Sequence, residues 1–590
     1  MRATLPEKPI TGLWYLLKGY RIFFVGSIFC QFIFHTIEAS RLFVIRFIID
    51  DVIGTSAWES SLFLATLGYL VLILLIGILS FLISRGYSRS AEGSIRDLRN
   101  KFFDHVQRLS FLYHDETKTG DLIQRASSDI GIIHRFYKIL FRDLTAFVFI
   151  FTINFIAIFI LYWKLLVFSL VVTPLYLLMA VYFFRRIERA QDKLQEQEAK
   201  LSTVTQENLS GIRVVRAFSR QEFEIKKFTT ENKTNYKYGL KVGYNHTIFW
   251  PLSDAIFGFQ VIASYFFGGI LAFNGEISLG TFIAFSGMIA NLIWPLRGIG
   301  RIFTELSKVS ISYKRVSTII EKEQEDYMKG ADVKDLKGEI QFENIFFDYR
   351  EDVPVLKDIS FSVNQGNTVI LIGRAGSGKT TLVNLLPRFY DYIKGEIMVD
   401  GNPLNKYSRH FLRKNIGIVE QEPFLFSSSI KNNIIYGTNR EVSQEEVEKV
   451  AKIAAIHENI LTFPKGYDTL VGEKGITLSG GEKQRIAIAR ALLKDPAILI
   501  LDGFTSSVDT ETEQKIKNAI ESLMEGRTTF IITHRVRNFI KADLILVFQE
   551  GKIIQRGTHD ELVGVPGFYK HVFELQSQIE VELEEELKYA

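Results

Sequence analysis

Five stretches of this chain, 61–84, 144–163, 165–184, 255–275 and 277–296, contain no Asp, Glu, Lys or Arg. Each is long enough to cross a hydrocarbon core ~30 Å thick at about 1.5 Å per helical residue. A sixth apolar run, 22–49, is interrupted by Glu38, Arg41 and Arg46. Only helices or closed barrels satisfy the backbone in lipid, so these runs predict six membrane-spanning helices in the first half of the chain. Between them, the polar segments 85–142 and 185–246 carry many Lys and Arg. The positive-inside rule places those segments in the cytoplasm together with both termini, and leaves the short connections near 50–58, 162–164 and 274–276 facing outward. Residues 1–20 are polar and contain proline, unlike a cleavable signal.

The two polar segments are too long for turns and too short for independent domains. Helix-forming sequence with apolar periodicity, as in 95–109, predicts that membrane helices continue into the cytoplasm as paired rods. The rods are expected to reverse at 111–121 and 211–222, where they either touch the soluble half or remain solvated hairpins.

At 590 residues the chain exceeds what one hydrophobic core usually organises, about 250–300 residues. Its 47% hydrophobic and 23% charged residues suit a membrane half joined to a soluble half. A net charge of +4 gives no sign of a nucleic-acid partner. The single cysteine, Cys30, excludes an internal disulfide framework and reads as a small core hydrophobe. A charged linker, 321–334, leads into apolar strands at 339–346 and 359–363, a largely helical stretch at 442–493, and strands at 498–502 and 529–533. That alternation predicts an α/β core with a mainly parallel sheet. The expected divisions are 1–320, 321–334, 335–577 and an acidic tail, 578–590.

Within the soluble half, Gly373, Arg374, Ala375, Gly376, Ser377, Gly378, Lys379, Thr380 and Thr381 match the phosphate-binding loop pattern in full, after the apolar run 369–372. A strand feeding a glycine turn and then a helix aims several backbone N–H groups at one anion, with the helix dipole behind them. Lys379 would reach the β- and γ-phosphates of ATP, and the Thr380 hydroxyl would ligate Mg²⁺. Further on, the buried strand 498–502 delivers Asp502 toward a metal and is followed by Gly503.

Leu478, Ser479, Gly480, Gly481 and Glu482, upstream of that strand, make the likeness specific. Over essentially its whole length the chain resembles half-transporters of the ABC exporter superfamily, the type that fuses six membrane helices to one nucleotide domain and includes multidrug, lipid and peptide exporters. The resemblance implies an α-helical transmembrane domain with long cytoplasmic extensions, followed by an α/β P-loop nucleotide-binding domain. It implies that Tyr349 stacks on adenine, that Gln421 senses the metal, that Asp502 binds it, and that His534 faces the γ-phosphate. Ser507 to Asp509 would be the loop exchanged between nucleotide domains, and 469–475 the cross-loop of exporters. Two such domains would close head to tail, each signature segment, Ser479 to Glu482, completing the other's ATP site. A second half-transporter chain, the lipid bilayer and a small amphipathic substrate are the implied partners.

In that family a glutamate follows the metal aspartate and orients or deprotonates the attacking water; here Gly503 stands in its place. A positioned acid–base group contributes roughly 10²–10⁴-fold to rate. The chain is therefore expected to bind ATP, hydrolyse it poorly, and lend its signature to a partner with an intact site. A weakly active homodimer, an engineered substitution, and a nucleotide-gated channel or regulatory subunit are the other readings. Glu482 departs from the usual signature, and retention of His534 departs from many degenerate sites. In the first span, His35, Glu38 and Arg41 share neighbouring parts of one helix surface. They read equally as polar contacts in a transport cavity or as a packing ion pair of Glu38 with Arg41. Trp250, Gln260, Asn291 and Trp294 fit plain packing better. A bacterial inner membrane is the expected location.

Overall fold

The computed structural model describes residues 5–589, except 54–57, 172, 334, 351–352, 473–474, 504–509 and 534–540. The chain divides into two compact units, one of Met1–Gln107 with Thr119–Lys322, the other of Arg108–Lys118 with Glu323–Ala590.

Among the described residues the first unit is built of helices and the turns between them. After a short helix, Pro9–Leu16, come Arg21–Phe47, Trp58–Gln107, a run from Thr119 to Leu161 with two π-helical stretches, Trp163–Val171, Thr173–Ser210, Gln221–Phe273 and Leu279–Ile320. Among the described residues, Arg21–Val52, Ser61–Gln107, Thr119–Leu161 and Gln221–Phe273 are long and apolar enough to cross a bilayer. The fourth and sixth expected spans fall on Trp163–Val171 with Thr173–Ser210, and on Leu279–Ile320, whose apolar described part is Leu279–Leu292. Leu64, Leu74, Ile78 and Phe81 lie exposed along the second span. Such a surface is costly in water and at home in hydrocarbon.

Polar groups inside this unit are used to tie helices together. Tyr87 donates to Gln31 Oε1 at 3.0 Å, and Thr145 donates to the same oxygen at 2.9 Å, joining three helices. At the other end, Asp50 accepts from the Gly280 amide at 2.8 Å. The helices also extend well beyond their apolar parts as paired rods. Thr173–Ser210 and Gln221–Phe273 are bound by Asn208 to Glu224 at 2.7 Å, and they reverse through Ile212–Ala217. The other reversal, Phe111–Glu116, is capped by Ser110 and groups with the second unit.

The second unit holds two sheets among the described residues. The strands are β1 Ile340–Asp348, β2 Pro354–Val363, β3 Thr368–Gly373, β4 Lys394–Val399, β5 Asn402–Pro403, β6 Ile416–Val419, β7 Ile498–Asp502, β8 Thr528–Ile532, β9 Leu544–Gln549 and β10 Lys552–Gly557. One sheet runs β2-β1-β4-β5 and is antiparallel. The other runs β10-β9-β3-β8-β7-β6, parallel from β9 to β6, with β10 an antiparallel edge. The expected parallel core is present, but the antiparallel sheet and strands β6, β9 and β10 had no place in the sequence reading.

Burial on both faces explains the unbroken apolar runs of the parallel strands. Ile370, Ile372, Leu499, Leu501 and Ile531 point into one core, packed under the helix Gly480–Lys494. Val369, Leu371, Ile498, Ile500 and Phe530 point into the other, shared with the antiparallel sheet. The strand order matters for function, because β3, β8, β7 and β6 are consecutive neighbours and end at the same edge.

Candidate nucleotide site

Ligands of open α/β sheets bind beyond the carboxyl ends of the strands, where the loops diverge. Here β3 ends in the phosphate loop, β8 leads through Thr533 to His534, β7 ends at Asp502, and β6 leads to Gln421. Sheet order therefore brings together three motifs that are far apart in sequence, the phosphate loop, Asp502 and Gln421.

The loop's shape depends on its glycines. Gly373 has φ +151°, and a Cβ there would lie 2.3 Å from the Phe548 carbonyl oxygen. Gly378, at φ +100°, caps the helix Lys379–Leu385 in the left-handed region, where a Cβ would lie 2.8 Å from Leu356 Cδ2. Between them Arg374, Ala375 and Gly376 form an exposed rim, while Ser377 is buried.

Lys379 folds back into this loop. Its Nζ donates to the carbonyls of Gly373 at 2.9 Å and Arg374 at 2.8 Å, and to Ser377 Oγ at 3.2 Å. Burial lowers its pKa, with the Asp502 carboxylate opposing. The ammonium is thus held by neutral oxygens beside the loop's rim, a position from which it can be drawn to anionic oxygen. Next to it, Thr380 donates to Asp502 Oδ2 at 3.1 Å. A hydroxyl and a carboxylate in contact are hard oxygen donors of the kind Mg²⁺ takes together with phosphate oxygens, so the donor set fits that ion. Tyr349 follows β1 and shares a hydrogen bond with Thr381 at 3.1 Å, which fixes its ring against the loop's helix.

Gly503 lies beside Asp502 with φ +63°, and its amide donates to Ile532 O at 3.0 Å. A Cβ there would come within 3.0 Å of Gln421 Cδ and Oε1 and 3.1 Å of Gln421 Cβ. The side chain of Gln421 therefore covers the spot from which a residue 503 side chain would start. Ser507, Asp509 and His534 lie outside the described residues.

The signature segment is built as a helix start. Ser479 caps the helix Gly480–Lys494 in a capping box with Glu482, whose carboxylate accepts from the Ser479 amide at 2.8 Å and its hydroxyl at 2.9 Å. A carboxylate is favoured at that end by the helix dipole, a local reason for glutamate at 482. Ser479 and Gly480 are exposed, and Gly481 is buried.

Several positioning residues escaped the sequence reading. Arg490 donates to Asn433 O at 2.8 Å and to Phe424 O at 3.1 Å, and Arg485 donates to Ala455 O at 2.6 Å. Gln484 reaches the Gln421 carbonyl at 3.4 Å. Gln484, Arg485 and Arg490, flanking the apolar run 486–489, were the available signal, since buried ions need partners.

In the membrane unit, His35 is buried and donates from Nδ1 to Glu38 Oε2 at 3.0 Å. Glu38 thus pairs with His35 and not with Arg41, whose Nε is buried without a hydrogen-bond partner among the described residues. Within the helix, i to i+3 geometry serves both pairings, and the direction of the Glu38 side chain decides between them. Gln260 is buried, Asn291 half-buried and Trp250 exposed. The side chain of Trp294 lies outside the described residues.

Long apolar helices joined to a doubly covered parallel sheet with a phosphate loop define an ATPase-coupled membrane transporter. The model for the ABC transporter transmembrane region matches residues 23–296, and the ABC transporter model matches 356–506. The chain belongs to the ABC transporter family, as a multi-pass exporter subunit that binds ATP. It is 36% identical over 564 residues to the uncharacterized ABC transporter ATP-binding protein YknU of Bacillus subtilis, covering 94% of this chain and 95% of the relative. It is also 32% identical over 576 residues to an ATP-dependent lipid A-core flippase of Desulfotalea psychrophila, covering 96% and 99%. With the putative multidrug export ATP-binding/permease protein YgaD of Bacillus subtilis it shares 34% identity over 554 residues, covering 90% and 93%. Half-transporters of this family act in the membrane as pairs.

Proposed function

We propose that this chain is the hydrolysis-deficient half of an asymmetric exporter pair. The observation that carries the reading is Gly503, which leaves no carboxylate beside Asp502 and sits in a left-handed conformation under the Gln421 side chain. Tyr349 faces adenine, residues 373–381 hold the phosphates, and Thr380, Gln421 and Asp502 hold Mg²⁺. When bound, that ion neutralises charge on the phosphate oxygens. Gln421 and His534 remain as the polar groups near the γ-phosphate. Ser479 to Glu482 serve the partner's ATP, and Ser507 to Asp509 line the same interface. The transmembrane domain ends at 320, the nucleotide domain begins at 335, and 578–590 is a terminal tail.

The cycle is alternating access. Nucleotide binding favours the closed pair only to the extent that the closed state binds ATP better than the open one. Hydrolysis at the partner's intact site then resets the pair, while ATP held by Lys379 persists. The cargo is amphipathic or hydrophobic, a class that includes what the names of the flippase and multidrug relatives describe. Buried His35, paired with half-buried Glu38, contributes with Arg41 a polar contact to the cavity. The setting is a bacterial inner membrane with both termini in the cytoplasm.

The test is steady-state ATPase activity of the purified chain in lipid, alone and co-expressed with its nearest chromosomal neighbour of similar length. Near-zero activity alone, rising with the neighbour and lost when the neighbour's glutamate is removed, is the expected result. The presence of His534 favours a second reading, a homodimer with slow turnover. Slow activity of the chain alone that the neighbour does not raise would establish that reading, and robust activity of the chain alone would overturn the first by showing that another base bypasses Gly503.

A further inference from the structure

The short helix Pro9–Leu16 is fastened to the membrane unit along one side. Tyr137 donates to the Leu13 carbonyl at 2.6 Å, and Tyr313 donates to the Pro6 carbonyl at 2.7 Å. A Cβ on Gly12 would meet the Tyr313 hydroxyl at 1.8 Å, so the contact admits no larger residue. Ile10 and Trp14, one turn apart and on the far side from Gly12, are exposed, as is Lys18 in the turn that follows. A helix anchored on one face with an exposed aromatic on the other suits the plane of a membrane interface.

The first two spans mark the same depth. Ile22, Val25 and Phe29 are exposed on the first, and Ile78, Phe81 and Leu82 on the second. The two helices touch at Gly86, where a Cβ would lie 2.9 Å from the Phe23 carbonyl oxygen, so residue 86 stands level with 23. At that level exposed apolar residues give way to cations: Lys18 and Arg21 before the first span, Arg85 and Arg89 on the second. Among the described residues none of the four lies within ion-pairing distance of a carboxylate.

Arg89 rests on the Phe23 ring, 4.2 Å from its centroid. Arg21 is braced differently. Its Nη2 donates to the Trp14 carbonyl at 3.1 Å, and its guanidinium lies 4.8 Å from the Trp14 ring centroid. Its Nη1 donors have no acceptor among the described residues. A guanidinium held by an aromatic face and a carbonyl is already oriented, and its remaining donors match the oxygens of a phosphate.

We propose that Arg21, Lys18 and Trp14 form a site for one anionic phospholipid of the adjoining leaflet. The phosphate lies on the two cations and the acyl chains run along Val25 and Phe29. The exposed apolar row directly beside the cations is what selects a lipid over a soluble anion. Charge selects among lipids, because a zwitterionic headgroup carries its own ammonium and leaves one of the two cations uncompensated.

Native mass spectrometry of the full chain, titrated with phosphatidylglycerol or with phosphatidylcholine of the same acyl chains, tests the site. Each cation beside an anionic headgroup contributes about fivefold, so phosphatidylglycerol is expected to bind about 25-fold tighter. Lys18→Gln leaves the bonds of Pro9–Leu16 intact and should lose about fivefold of that preference, with a similar loss in Arg21→Gln. Arg21→Lys keeps the charge and should retain most of it. Equal binding of the two lipids, or a preference that survives Lys18→Gln and Arg21→Gln combined, would overturn the proposal. A preference lost only in the Arg85→Gln, Arg89→Gln double variant would also overturn it, by moving the site to the second span. Displacement of phosphatidylglycerol by inorganic phosphate at the same concentration would show a site for soluble anions, and the lipid assignment would fall.

Discussion

The phosphate loop and the end of β7 lie at one sheet edge, and glycine does opposite things in them. In the loop, Gly373 and Gly378 are present because backbone and side-chain atoms from other strands approach too closely for any Cβ. Around them every polar group needed for an anion is in place: Lys379 is braced, Thr380 touches Asp502, and Tyr349 is bonded to Thr381. At Gly503 the side chain is absent where the proposed reading looks for a base, and the Gln421 side chain lies over the spot from which one would start. On the proposed reading, binding and turnover are built from separable parts, and one is kept while the other is lost.

The largest effect should come from removing the loop's cation. Lys379→Ala is expected to weaken MgATP binding by about 3–6 kcal/mol, from bonds to charged phosphate oxygens worth about 1.5–3 kcal/mol each. Equilibrium titration in detergent or lipid reads this directly. Affinity retained within about tenfold would mean the nucleotide is held elsewhere, and the comparison would fail at its stronger side.

Next in size is the architecture of the loop. Gly373→Ala drives a methyl against the Phe548 carbonyl and should destabilise the nucleotide unit by about 2–4 kcal/mol, seen as a lower thermal midpoint. Gly376→Ala meets no heavy atom within 4 Å and carries only the backbone cost of φ +76°, about 1–2 kcal/mol. Equal losses would show that close approach is not what selects glycine at 373.

How much of this was legible follows from how local each part is. The phosphate loop and the capped signature helix are contiguous, so residue order alone reveals them. The edge that unites the loop with Asp502 and Gln421 is set by the strand order β3-β8-β7-β6, and β6 is a four-residue strand, Ile416–Val419, too short to announce itself. The bond of Tyr390 to Asp115 spans 275 positions, and no periodicity encodes it. The pairing of Glu38 with His35 in place of Arg41 turns on a single side-chain direction. Gly503 was legible as an absent carboxylate, but its positive φ and the cover of Gln421 were not, because both depend on neighbouring strands.

On the proposed reading, Ser479 belongs to the site the chain lends and not to its own. Ser479→Ala removes a hydroxyl from the exposed start of the helix Gly480–Lys494. One lost hydrogen bond to a charged phosphate should slow ATPase activity of the co-expressed pair by about 1.5–3 kcal/mol in activation terms. MgATP affinity of the chain alone should not change. An effect on the chain's own affinity, with pair activity intact, would put the signature in the wrong site.

The smallest change is the one a simple swap would make large. Restoring a carboxylate by Gly503→Glu ought, if only the side chain were missing, to recover the roughly 10²–10⁴-fold contribution of a positioned base. Two features of the site oppose that. A non-glycine residue at φ +63° carries about 1–2 kcal/mol of backbone strain, and its Cβ would press on Gln421 at 3.0–3.1 Å. Relief requires 503 to move toward an extended backbone, which disturbs its amide bond to Ile532, or Gln421 to withdraw from the metal side. Either shift displaces a group on which an in-line water depends. Gly503→Glu in the chain alone is therefore expected to raise ATPase activity by less than about tenfold, under about 1.4 kcal/mol. Steady-state turnover with saturating MgATP measures it. A gain of two orders of magnitude or more would mean that β7 accepts glutamate without rearrangement, and that glycine at 503 is a bare omission in an otherwise competent site.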